Sequence, residues 1–131
     1  MDSAVTCDGG YIFGTSAPAS IAYVPVGAVQ GSDGKIYVRF QHATTPAIYR
    51  YDVDAGMTAL SNGTSLYSDT AYLNPDVTSR DMVTLEGDYV LLANWGVDAI
   101  VKLNLVTGVP DYFAKDIFTT DVNAIAIRPA Q

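Results

Sequence analysis

The chain has 131 residues, 49% of them hydrophobic and only 16% charged, with a formal net charge of −7. Its length bounds it to one domain with a real apolar core. Seven scattered Lys and Arg against 14 acidic residues exclude the basic stripe that nucleic acid or an anionic membrane would need, and Cys7, the only cysteine, excludes an intrachain disulfide framework.

Glu86 is the only glutamate beside thirteen aspartates. Aspartate favours turns and caps, whereas glutamate favours helix interiors. With nine tyrosines and many Val, Ile and Thr, the composition predicts an all-β chain of strands joined by tight turns. No run is long and apolar enough to span a membrane, and residues 1–10 lack the basic and apolar regions of a signal peptide. The expectation is a soluble chain made in a cytoplasm, in which Asn62-Gly63-Thr64 is an ordinary turn.

Residues 1–27 read as an N-terminal arm, or as a worn hairpin over residues 11–14 and 21–26. An internal repeat follows. The stretch GKIYVRFQHATTPAIYRYDVDAG, residues 34–56, matches GDYVLLANWGVDAIVKLNLVTG, residues 87–108, with one residue fewer in the turn. Each copy has a turn glycine, an apolar strand, a polar turn, a second strand and a closing glycine. In the first copy these are the strand 36–40, the turn 41–46 and the strand 47–53; in the second they are 89–93, 94–98 and 99–105. Both copies read as hairpins in which Arg50 matches Lys102 and Asp52 matches Asn104.

A strand precedes each hairpin, at 28–30 and 82–85, and another follows, at 57–60 and 112–114. Four antiparallel strands per unit at this spacing are the pattern of propeller blades. The connection over 62–75 is about ten residues longer than its counterpart after Gly108, and is expected to project from one rim as a contact surface. Residues 121–129, DVNAIAIRP, read as the innermost strand of a further blade.

The run DYVLLANWGVDAIVKLNLVTG resembles the propeller repeats of the YVTN and NHL type. The two repeats carry the resemblance over about half of the chain, and the first departs from it with Gln41-His42 where the second has Asn94-Trp95. The implied fold is a set of β-propeller blades, about two full blades plus a split one per chain. The units are 28–77 and 78–118, with a terminal strand over 119–131 and residues 1–27 as an arm or partial blade. Ring propellers close with roughly four to eight blades, so homo-oligomerisation is expected to complete the ring, at six blades. A trimer of two-blade chains is favoured over a dimer of three-blade chains. The alternative is a small monomeric β-sandwich with a duplicated meander.

The candidate ligand-binding residues are Arg39, His42, Tyr49 and Arg50 around the first hairpin and Asn94, Trp95 and Asp98 around the second. An aromatic face beside Asn, Asp and Arg can stack on a sugar ring and hydrogen-bond its hydroxyls. The competing reading packs Trp95 and His42 between blades. Asp52 and Asp54 in DVDAG lack the remaining ligands of a calcium loop and read as turn caps. A reactive thiol at Cys7 would need the only histidine, His42, beside it.

No nucleophile elbow, phosphate-cradling loop or metal-spaced His/Cys set is present, so no catalytic residue, metal or cofactor is expected. The expected function is a non-enzymatic structural or interaction protein, a virion surface knob or capsid decoration protein docked on a capsid shell. The alternative is an oligomeric glycan-binding lectin with sites on or between blades.

Overall fold

The computed structural model describes residues 24–68, 72–73, 82–94, 98–116 and 125. Among them the chain is all-β. Strands β1 (Val24–Gln30), β2 (Ile36–Gln41), β3 (Ala47–Val53) and β4 (Leu60–Tyr67) form one four-stranded antiparallel sheet. Strands β5 (Met82–Thr84), β6 (Tyr89–Asn94), β7 (Ala99–Asn104) and β8 (Pro110–Lys115) form a second, with the same strand order.

The two hairpins lie where the repeat places them, but their surroundings differ from expectation in three ways. Strand β1 starts at Val24, so residues 24–27 belong to the first sheet, with a bulge between Pro25 and Gly27 where proline has no N–H to give to a ladder. The outer strand expected over 57–60 is instead Leu60–Tyr67. Met57 sits in the turn before it with φ 57°, held by its N–H donating to the Asp54 carbonyl at 2.9 Å.

The third difference concerns the connection over 62–75. Its residues 62–67 lie in the β4 ladder, with Asn62, Thr64 and Ser65 exposed, and Leu73 is 0% exposed in the core, so the described part runs along the sheet and does not project from it. The hairpin over 11–14 and 21–23 and most of the terminal strand over 119–131 lie outside the described residues.

The ladders refine the repeat alignment. The β1–β2 and β5–β6 turns have the same length, each closed by one backbone bond, Gly31 N–H to Lys35 C=O and Leu85 N–H to Tyr89 C=O. Ile36 therefore corresponds to Val90, one residue beyond the glycine-to-glycine match. The second strands keep the match read from sequence. The outer ladders share one shift, between Ile48 and Tyr49 and between Ile100 and Val101, and that of the first sheet has a second, between Arg50 and Asp52. The shared shift leaves one extra residue on the outer strand, Leu66 in β4 and Phe113 in β8, which is a β-bulge at the same point of each repeat.

Because successive side chains in a strand alternate between faces, this register fixes how the sheets stack. The face of the first sheet bearing Val29, Tyr37 and Ile48 shares one hydrophobic cluster with Met82, Val90, Leu92, Val101 and Leu103 of the second. In the first sheet, the counterparts of Val90, Leu92, Val101 and Leu103 are Ile36, Val38, Tyr49 and Tyr51. Those residues lie on the opposite face, around a separate cluster of Val38, Phe40 and Tyr51. The two sheets therefore stack front to back, like successive leaves, and not face to face.

Each large aliphatic side chain sealed in that joint contributes about 1.5–3 kcal/mol. Polar bonds fix its edges. Arg39, only 3% exposed, donates from Nη2 to the Ala93 carbonyl at 2.8 Å. Ser32 Oγ donates to Asp88 Oδ1 at 2.6 Å between the two inner turns, and the end of β4 meets the start of β8 where Leu66 abuts Gly108.

Candidate functional site

The first-hairpin candidates do not converge. Arg39 and Arg50 share one face of the first sheet, since Arg39 pairs across from Ile48 and Arg50 from Tyr37. Arg39 is consumed by the inter-sheet bond to Ala93. Arg50 lies beside the Tyr37 hydroxyl, whose pKa burial and the hydrogen bond to Asp33 raise to about 12 despite that guanidinium. Tyr49 lies on the opposite face, its ring 5.7 Å from Phe40 and 6.2 Å from Tyr51 in a packed aromatic group. His42 closes its own turn: its Nδ1 accepts the N–H groups of Thr44 at 3.2 Å and Thr45 at 3.1 Å.

At the second hairpin, Asn94 is buried at the end of β6 and donates from Nδ2 to the Tyr72 carbonyl at 2.8 Å. Its Oδ1 is buried without a hydrogen-bond partner among the described residues, and so is one carboxylate oxygen of Asp98. Asp98 adopts a left-handed conformation, φ 48°, on entering β7. Trp95 lies outside the described residues.

The DVDAG aspartates act on their own strands and turns. Asp52 accepts from Lys35 Nζ and from Asn62 Nδ2 at 2.8 Å, and these bonds hold its pKa below the ordinary carboxylate value. Asp54 accepts from Thr58 Oγ1 at 2.7 Å, Thr58 N–H at 2.7 Å and Ala59 N–H at 2.6 Å. The Thr58 hydroxyl first, then the Ala59 and Thr58 amides, pull its pKa down to about 2. Three donors on an ionised carboxylate are what a turn cap needs. Among the described residues no group of three His, Cys, Asp or Glu is placed to hold a metal ion.

A shallow hollow of about 410 Å³ lies on the second sheet, lined by Tyr89, Lys102, Asn104, Thr107, Val109 and Asp111. It opens on the face turned away from the first sheet. Lys102 Nζ sits 4.6 Å above the Tyr89 ring. Asn104 Oδ1 accepts the N–H groups of Val106 at 2.8 Å and Thr107 at 3.0 Å, leaving its amide nitrogen as a donor. Sequence reasoning singled out none of these as a ligand group, although matching Arg50 with Lys102 and Asp52 with Asn104 pointed at the position. In the first sheet the positions of Tyr89 and Asn104 are taken by Lys35 and Asp52, which form an ion pair.

No protein-family model matches the chain, and searches of characterised proteins and of solved structures find no match either.

Proposed function

We propose that this chain is a non-enzymatic structural or interaction protein that joins copies of itself into a closed ring of β-propeller blades, six in a trimer, and serves as a surface knob or decoration protein on a capsid shell. The observation behind the reading is the front-to-back stacking of the two sheets. A joint between two unlike faces is heterologous, and it generates a ring when its rotation closes. The small size and low charge of the chain suit an assembled shell component. Of the side chains that sequence analysis nominated for a site, Arg39 is engaged in the sheet joint and His42 in its own turn.

Light scattering over a range of concentrations tests the assembly. A discrete oligomer of two or three chains is expected, and a monomer throughout contradicts it. Immunogold labelling of intact particles tests the decoration role, with label expected on the outer surface; labelling of disrupted particles alone contradicts it.

The hollow on the second sheet favours a second reading, an oligomeric glycan-binding module. Its ammonium, amide and carboxylate groups around a tyrosine ring suit a sugar bearing a carboxylate. A glycan array probed with the wild-type chain and with Lys102→Ala tests it. Binding to acidic glycans that the variant loses is expected, and an array without wild-type binding removes the reading.

A further inference from the structure

We infer that Phe113 is the anchor by which one copy of the chain engages the next, seating against the β3–β4 hairpin of a second copy at Met57 and Leu60. The inference rests on the ring reading above.

The internal joint supplies the pattern. Leu66, the bulge residue of β4, packs against the inter-sheet cluster and abuts Gly108 in the turn that leads into β8. The end of one outer strand thus meets the hairpin that starts the next outer strand. Phe113 is the bulge residue at the same point of the second repeat. It has no third sheet of this repeat type among the described residues to seat against, and it stands 55% exposed. A bulge re-aims a side chain, and an exposed phenylalanine on an outer strand is a large apolar surface to leave in water.

The receiving side is also present. Repetition of the joint brings Phe113 to the hairpin that starts the outer strand of a first sheet, which is the β3–β4 turn. That hairpin carries Met57, 59% exposed, and Leu60, half-buried at the rim of the Val38, Phe40 and Tyr51 cluster. Val38, Phe40 and Tyr51 are already buried within a single chain, so contact between copies falls on strand β8 and on the β3–β4 turn, where Phe113 and Met57 stand open. An adaptable methionine suits an aromatic partner.

The test is sedimentation velocity of the full chain carrying Phe113→Asp or Met57→Asp, with Val106→Asp as the comparison, because Val106 is 65% exposed in the turn already used by the internal joint. Each of the first two is expected to weaken association by about 30-fold or more, as loss of an interface anchor does, with an unchanged circular dichroism spectrum; Val106→Asp leaves association unchanged. As a check independent of stability, a Phe113→Cys, Met57→Cys chain in a Cys7→Ser background is expected to form interchain disulfides on mild oxidation. An oligomer that survives Phe113→Asp, that dissociates equally with Val106→Asp, or that yields no interchain disulfide overturns this joint and leaves the ring reading standing. A wild-type monomer overturns both.

Discussion

Leu66 and Gly108 meet so closely that a Cβ on Gly108 would fall 2.8 Å from the Leu66 carbonyl oxygen. Gly108 also has φ 72°, a conformation that a side chain makes costly. Gly108→Ala therefore combines backbone strain with a collision against main chain that cannot swing aside. A loss of about 1–3 kcal/mol is expected in urea denaturation. A loss below about 0.5 kcal/mol, the range of an ordinary surface change, would place the end of β4 elsewhere.

Arg39 holds the second sheet through the Ala93 carbonyl from a site that is 3% exposed. Arg39→Ala removes a charged donor and leaves a buried acceptor short of a partner, at a cost of about 2–4 kcal/mol. Arg39→Met, which keeps much of the apolar stem, is expected to lose less. Equal stability of wild type and Arg39→Ala in the same titration would show that the bond does not hold the joint.

Asp54 gives the β3–β4 turn an acid-sensitive contribution. Its folded pKa, about 2, lies below the ordinary aspartate value of 3.8. Stability from this group is thus fully present above pH 4 and is lost as pH falls from 4 through 2. The turn between Asp54 and Ala59 is expected to open in that window, read as faster amide exchange at Thr58 and Ala59. Asp54→Asn should flatten the pH dependence there, and an unaltered profile in that variant contradicts the assignment.

Tyr37 acts in the opposite direction. Burial, and then the Asp33 hydrogen bond, raise its phenol to about 12 from 10.0. Its contribution is present below pH 10 and is lost as pH rises through 12. Thermal melts between pH 9 and 12 are expected to show a fall that Tyr37→Phe reduces, together with late ionisation by ultraviolet absorbance of both Tyr37 and Tyr51, whose phenol pKa burial also raises, of which Tyr37→Phe removes one tyrosine's share. Late ionisation persisting unchanged in Tyr37→Phe would contradict this.

The hairpins were legible because glycine punctuation and apolar runs both marked them. Register was not. Gly34 and Gly87 occupy different positions in turns of equal length, so aligning glycine with glycine misplaces β6 by one residue, and a one-residue slip turns every side chain to the other face. Strand β4 escaped reading because LSNGTSLY has little β-propensity of its own; it pairs with β3 after the turn that Asp54 caps.

The site residues were harder to read for a related reason. Arg39 and Tyr49 are close in a hairpin drawn flat, yet the pleat puts them on opposite faces. Strand β2 is buried along most of its length, so an arginine there reads as a surface charge in sequence while it is a bridge between sheets in the fold. The hollow at Tyr89 and Lys102 draws on β6, β7, β8 and one turn, a combination that no single stretch of sequence displays.

The central claim is that the two repeats stack front to back with the end of β4 on the start of β8. Nuclear Overhauser contacts between the Leu66 methyl groups and the Gly108 α-protons test it most directly. Strong cross-peaks are predicted, together with contacts from Tyr37 and Ile48 to Val90, Leu92 or Leu103. Contacts from Val38 and Phe40 to those same residues, with none between Leu66 and Gly108, would show the sheets stacked face to face and would remove the basis for a ring.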